Sequence, residues 1–159
     1  MYARHSIQSN GNLQLTPSGF EQFKQTLHNL DKQQQLLGQE MHEVREPGDD
    51  LDNTSYTEIR SRAVEVSSHM QTIRHILRNA TLIARPKKPN VVELGNVIEL
   101  VSEHERRHYM LVGSLEADPS QYKISDSSPV GQQLLGKQCG DYIEIGNGNK
   151  QTFQITAIR

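Results

Sequence analysis

Two sets of eight residues mirror each other about residue 50, and that symmetry leaves few folds open. Phe20, Phe23, Leu27, Leu30, Gln34, Leu37, Met41 and Val44 precede it; Tyr56, Ile59, Ala63, Val66, Met70, Ile73, Leu77 and Ala80 follow it. Each set steps alternately by three and four residues, the spacing of a coiled-coil seam. Paired from the outside in, 20 with 80 and so on to 44 with 56, every pair adds to 100. A hairpin folded at residue 50 therefore sets each seam residue opposite its partner. At the fold lies Pro47-Gly48-Asp49-Asp50-Leu51-Asp52-Asn53, so three carboxylates are expected at the end of a long, stiff rod. Gln34, a polar side chain in an apolar seam, reads as a register-setting residue.

Local signals mark the ends of the rod. Thr16-Pro17 reads as a helix cap followed by proline at the first helical position. The first helix is predicted to run to about Glu46, where Pro47-Gly48 stops it. The second opens at Asn53 or at Ser55, where Ser55 and Glu58 have capping-box spacing. It is predicted to end near Ala84, ahead of Arg85-Pro86-Lys87-Lys88-Pro89. Residues 85–90 are then a short, stiff linker. Residues 1–14 are polar, carry the turn signal Asn10-Gly11-Asn12, and are expected to be loosely ordered. The division is thus an extension (1–14), a hairpin (15–84) with its acidic tip at 47–53, a linker, and a second domain (91–159).

After residue 90 the period changes. Val97, Ile98 and Leu100 sit in one β-rich run and Tyr109 to Val112 in another. Phe153, Ile155 and Ala157 alternate with Thr152, Gln154 and Thr156, which predicts a half-buried strand with the first three inward. Gly146-Asn147-Gly148-Asn149 reads as the hairpin turn joining it to Tyr142–Ile145. Ser128-Pro129 starts one short helix and Gly136 ends it, with Val130, Leu134 and Leu135 facing inward. The expected fold class is α+β: an N-terminal antiparallel coiled-coil hairpin and a C-terminal antiparallel sheet with one short helix.

Composition fits this plan. Only 34% of the 159 residues are hydrophobic, lean for a single globule but suited to a narrow two-helix seam plus one small domain. The net charge of −2 hides a separation. Asp49, Asp50, Asp52 and Glu58 stand unopposed over residues 47–58, whereas Arg60, Arg62, Arg74, Arg78, Arg85, Lys87 and Lys88 face only Glu65 over residues 60–88. A cation near the tip and a polyanion near part of the rod are the matching partners. Cys139 is the only cysteine, which excludes an intramolecular disulfide; it reads as a small core residue. No apolar run reaches the roughly 18 residues that spanning a bilayer requires. The first dozen residues lack the apolar core of a signal peptide, so a cytoplasmic location is expected.

Several motifs now converge. The run Glu43-Val-Arg45-Glu-Pro-Gly48-Asp49-Asp50-Leu51-Asp52-Asn53-Thr-Ser-Tyr56 resembles the tip pattern E-x-R-x-x-G-D-L-x-E-N-x-E-Y of the Gre family of bacterial transcript-cleavage factors. Ser128-Pro129-Val130-Gly131, followed by Leu134-Leu135-Gly136-Lys137 and Gly140-Asp141, is similar to the family's S-P-[IV]-[AG] segment. Leu15-Thr16-x-x-Gly19 resembles the opening of its first helix. The resemblance implies a C-terminal domain of FKBP-like fold and binding to RNA polymerase, with the hairpin inserted in the secondary channel. It also implies that Asp49 and Asp52 hold the positions of the family's tip acids. Two departures stand out: the second acid is Asp52 where the family has Glu, and Asp50 occupies the family's Leu position, with Leu51 one place later.

The chemistry expected of the tip follows from its side chains. Hydrolysis of a phosphodiester needs an activated water and a stabilised leaving oxygen, which a pair of divalent ions can supply. Carboxylates suit Mg²⁺, which typically takes only one or two of them from a protein. Asp49, Asp52 and Asp50 are the candidate metal ligands, lent in trans beside a polymerase's own acids, so the isolated chain is expected to hold no metal and to be no nuclease. Asn53 and Tyr56 are expected to shape the tip. The plain alternative is a solvated turn, which Asp and Gly also favour. Arg74 and Arg78, one turn apart, would contact phosphates at the RNA 3′ end or form an ordinary solvated flank. Ser128, Pro129, Val130 and Gly131 would dock on RNA polymerase. His104 and His108 sit in what reads as a loop, an unpromising metal site. A monomer that promotes cleavage of backtracked RNA is the leading expectation, and an inhibitor occupying the same channel the alternative. Prolyl isomerisation fits poorly, since one Phe, three Tyr and no Trp follow residue 90.

Overall fold

The computed structural model describes residues 13–44, 53–83, 90–146 and 150–159. They form two compact units, residues 17–79 in one and the remaining described residues in the other.

The first unit is the hairpin. Helix α1 spans Pro17–Glu43 and α2 spans Asn53–Asn79, 27 residues each. Leu37, Ile59, Val66 and Met70 form its buried cluster, with Leu27, Leu30, Met41 and Ala63 half-buried against them. Every one of these is a mirrored seam position, so the antiparallel hairpin stands. The seam drifts along α2: Ile76, outside the heptad set, is buried while Leu77 is half-buried. A straight helix turns every 3.6 residues, so a strict heptad row rotates away by about 20° per repeat. Val44, nearest the fold point, is exposed.

The second unit is built on a five-stranded sheet in the order β5-β4-β3-β7-β6. Its strands are β3 (Val97–Val101), β4 (Arg106–Val112), β5 (Lys123–Ser125), β6 (Tyr142–Ile145) and β7 (Gln151–Ile158). Helix α3 (Pro129–Leu134) packs against β5 and β6. Val92, Ile98, Leu100, Leu111, Leu134, Ile143, Phe153 and Ile155 make one core. The α+β class holds, but the sheet is mixed. β5 pairs parallel with β4, because residues 113–122 cross back through two 3-10 turns, Ser114–Glu116 and Pro119–Gln121. Parallel neighbours need such a crossover.

The strict alternation expected in β7 breaks at one point. Leu100 pairs with Ile155, yet Glu99 pairs with Ala157, leaving Thr156 as an extra residue. This bulge shifts the strand's phase. Ile158, not Ala157, therefore opposes Ile98 and packs on the core. Leu135, expected inward, is 49% exposed. The six-residue helix ends at Leu134, and Leu135 has already turned to extended dihedrals. Cys139, expected in the core, is exposed in the turn after α3, where its Sγ meets the Thr156 carbonyl at 3.1 Å. Connecting turns run over the surface because buried backbone there would lack partners.

A short ladder was not legible in the sequence. β1 (Gln14–Leu15) pairs parallel with β2 (Thr81–Leu82). Thr81 N–H donates to Leu13 O at 2.7 Å and Ile83 N–H to Leu15 O at 2.8 Å. Helix α2 accordingly stops at Asn79, about five residues before the predicted end, and Gln14, expected in a loosely ordered extension, lies in a strand. Among the described residues no helix is long and apolar enough to cross a membrane.

Candidate functional site

The two helices bring Glu43, the last residue of α1, and Asn53, the first of α2, to the connection that carries the acids. Asp49, Asp50 and Asp52 lie outside the described residues, as do Pro47 and Gly48. Asn53 is the helix start, so of the two predicted openings the earlier one is realised, and Ser55 lies inside the first turn. Tyr56 is half-buried on α2. Thr57 Oγ1 donates to Thr54 O at 2.7 Å and Ser61 Oγ to Thr57 O at 2.9 Å. These hydroxyls donate to the helix's own carbonyls. Among the described residues, no cluster of three or more His, Cys, Asp or Glu side chains could hold a metal.

Arg74 and Arg78 are exposed on α2 and line one shallow face with Gln71, His75 and Asn79. Asn79 Nδ2 donates to His75 O at 2.8 Å and lies 3.2 Å from His75 Nδ1. No acid follows Glu65 on this helix, and no ion pair joins either arginine to an acid among the described residues. Two guanidinium groups one turn apart can meet two successive phosphates.

The Ser128–Gly131 segment proves to be a tightly built helix start. Ser128 Oγ accepts from Gly131 N–H at 3.0 Å and donates to Ser125 O at 2.6 Å. Pro129 follows at the first helical position, where its missing N–H costs nothing. Gly131 is required by space: a Cβ there would run into the Ser125 carbonyl. Of the four residues, Ser128 and Val130 are half-buried, Gly131 is buried, and only Pro129 is exposed. Their spacing thus first serves folding, and Pro129 is the most exposed of the four.

A polar cluster on the sheet was missed in the sequence. Arg107 donates from Nε to Glu105 Oε2 at 2.9 Å and from Nη2 to Glu105 Oε1 at 2.7 Å. Its guanidinium sits 5.0 Å from the centroid of the Phe153 ring. Arg107 holds the Glu105 carboxyl below its ordinary range, and Glu105, then Tyr109, raise the guanidinium further. The signal was an acid, a base and an aromatic at alternate positions, but residues 103–107 read as loop, so the shared strand face was invisible. His108 instead faces Glu99 from the other side of β4, at 3.6 Å.

Comparison with known proteins follows the same division. Residues 13–82 match the family described as "Transcription elongation factor, N-terminal", and residues 86–159 match "Transcription elongation factor, GreA/GreB, C-term". The transcription elongation factor GreA of Acholeplasma laidlawii is 33% identical over 150 residues, covering 91% of this chain and 95% of that protein. GreA of Geobacillus kaustophilus is 31% identical over 151 residues, covering 91% and 95%. Among solved structures, the GreA factor homolog 1 of Thermus thermophilus aligns with 27% identity and a TM-score of 0.46, covering 94% of this chain and 99% of that one.

Proposed function

The chain belongs to the GreA/GreB family of transcription elongation factors, and from that premise we propose that it stimulates RNA polymerase to cleave backtracked RNA by bringing the acidic end of its hairpin into the secondary channel. It is an elongation factor acting on RNA polymerase. The observation that supports the cleavage reading is the hairpin itself. Two 27-residue antiparallel helices share one narrow seam, and their connection holds Asp49, Asp50 and Asp52.

In this reading the chain supplies carboxylates and the polymerase supplies the rest of the catalytic centre. The donor set is all carboxylate oxygen, which suits Mg²⁺. Asp49, Asp50 and Asp52 would hold Mg²⁺ together with the polymerase's own acids, and the ion would supply charge stabilisation for the phosphodiester and activation of a water. Asp49 is the main ligand, Asp52 orients the attacking water, and Asp50 adds a third carboxylate. Asn53 and Tyr56 shape the tip rather than act chemically. Arg74 and Arg78 steady the RNA 3′ end through its phosphates. The globular unit, read as FKBP-like, docks on the polymerase with the α3 start, Ser128 to Gly131, at the contact. The factor acts as a monomer in the cytoplasm.

A second reading rests on the tip sequence. Asp52 stands where the family pattern has Glu, and Asp50 where it has Leu. A shorter and extra acid would let the chain occupy the channel and hold metal without promoting cleavage. The deciding experiment adds the protein to a backtracked polymerase carrying labelled transcript, with Mg²⁺ titrated, beside Asp49→Ala. Shortened RNA with the wild type alone supports stimulation. Slowed cleavage supports inhibition, and an active Asp49→Ala removes the tip from the mechanism.

A further inference from the structure

The two edges of the five-stranded sheet are finished differently. At β6 the edge is closed: Gln133 of α3 turns its Oε1 to accept from Glu144 N–H at 3.1 Å. On the opposite side β5 covers only part of β4. Met110, Leu111 and Val112 pair with Lys123, Ile124 and Ser125. Among the described residues no strand covers Arg106 to Tyr109 on that side. Tyr122 is where the cover begins. It adopts left-handed dihedrals, φ 57° and ψ 24°, uncommon for a bulky side chain. Its N–H turns back to Pro119 O at 3.2 Å, and its carbonyl opens the pairing by accepting from Met110 N–H at 2.9 Å.

The alternation along β4 decides what the uncovered stretch presents. Leu111 turns its N–H and C=O to the β3 side, donating to Asn96 O at 3.0 Å and accepting from Gly95 N–H at 2.7 Å, whereas Met110 N–H turns the other way. Arg106 and His108 share the phase of Met110, so their N–H and C=O groups point out of the sheet. Such a row is a template for another strand. Glu105, Arg106, Arg107, His108, Tyr109 and Tyr122 line one open recess along it. The acids here are already engaged. Glu105 takes two bonds from Arg107, and Glu99 meets Arg106 Nη1 at 3.1 Å and lies 3.6 Å from His108 Nε2. A guanidinium has more donors than these contacts use, and Arg106 is exposed.

We propose that the Arg106–Tyr109 edge of β4 is a docking site for an extended segment of a partner protein, added as a further strand and carrying carboxylates at alternate positions. Its main chain pairs with the outward N–H and C=O groups of Arg106 and His108. Its carboxylates face Arg106 and His108, and the side chains between them fall on the Tyr109 face. A second copy of this chain is the poorer occupant. Two such edges brought together antiparallel set Arg106, Arg107 and His108 against one another, and like charges directly across a ladder repel. The proposal does not depend on how the tip acts.

The test uses the full chain, labelled with ¹⁵N, and capped peptides of about six residues, enough to span the uncovered edge. One alternates glutamate with valine, one alternates lysine with valine, and a third is the glutamate peptide with its backbone amides N-methylated. With the glutamate peptide, chemical-shift changes should centre on residues 105–109 and 122, and amide exchange at His108 should slow about tenfold or more at saturation. Methylation of the peptide, or Arg106→Glu in the protein, should weaken binding about tenfold. His108→Pro removes an outward N–H while leaving the β3 ladder whole, and should abolish binding. If that variant does not fold, Arg106→Glu carries the same decision. Shifts centred elsewhere, or no shifts at millimolar peptide, overturn the proposal. Equal binding of the lysine peptide overturns the acidic occupant. Self-association of the chain through these same residues, displaced by no peptide, would make the edge an interface between copies and overturn the proposal as well.

Discussion

Gln34 Nε2 donates to Ser67 Oγ at 3.0 Å, so the polar position in the seam of α1 is answered by a hydroxyl from α2. The mirrored spacing places Val66 opposite Gln34, and Val66 stays buried while the amide leans to its neighbour. Slipping the helices by one heptad would bring Arg60 or Arg74 to that amide instead, offering it no comparable acceptor. A polar seam residue trades stability for register in this way.

Gln34→Leu should therefore raise the melting temperature of the hairpin slightly and loosen its register. Cysteines at Leu27 and Ile73, in a Cys139→Ser background, should crosslink within one chain. The yield should fall when Gln34→Leu is added. A crosslink found only between chains would remove the intramolecular hairpin.

The start of α3 separates folding from docking. Ser128→Ala should cost about 1 kcal/mol through loss of the cap. Gly131→Ala should cost more, because its Cβ meets the Ser125 carbonyl. Thermal unfolding of both variants gives the order, and a Gly131→Ala as stable as the wild type would contradict the close approach.

Pro129 is the exposed member of that segment. An acid at the first helical position suits the helix dipole, so Pro129→Asp should leave the melting temperature nearly unchanged. If the segment docks on polymerase, the same change should weaken competition with wild type for the enzyme. Unaltered competition would place the docking surface elsewhere.

Asp52 is one methylene shorter than the glutamate of the family pattern, so its carboxylate reaches roughly 1 Å less far, a difference that can cost about a hundredfold where geometry is critical. If the tip stimulates cleavage by the polymerase, Asp52→Glu should give faster cleavage than wild type, or the same rate at lower Mg²⁺. A wild type that matches Asp52→Glu at every Mg²⁺ level would show that Asp50 and Leu51 re-aim the loop.

Arg107 gives Glu105 a pH signature. The carboxyl is held below its ordinary value near 4.5, first by the Arg107 hydrogen bonds. A lowered folded pKa stabilises the protein above the unfolded value, and that contribution is lost as pH falls through the folded value. Arg107→Met, which keeps an apolar contact for Phe153, should bring the Glu105 carboxyl signal back toward pH 4.5 in an NMR titration. It should also flatten the acid limb of the stability curve below that pH.

The sequence by itself determined the hairpin, because a seam is a local period: each apolar residue is placed by neighbours three and four positions away. It fixed Pro17 as the start of α1, Asn53 as one of two possible starts of α2, and the Ser128 cap of α3, for the same local reason. It also named the tip acids Asp49, Asp50 and Asp52, though their geometry lies outside the described residues. Only the tertiary structure decided the rest. Two-residue strands such as β1 and β2 carry no period, and Leu13 and Thr81 meet only when the hairpin has closed. The bulge at Thr156 is set by the partner strand β3, so nothing within β7 announces that Ile158 replaces Ala157. Cys139 is exposed because a turn carries it, not because of its own polarity. Glu116 carries no local signal of burial, and what makes its burial tolerable is Thr16, 100 residues away. Bonds of that span are made by the packed chain and leave no trace in local composition.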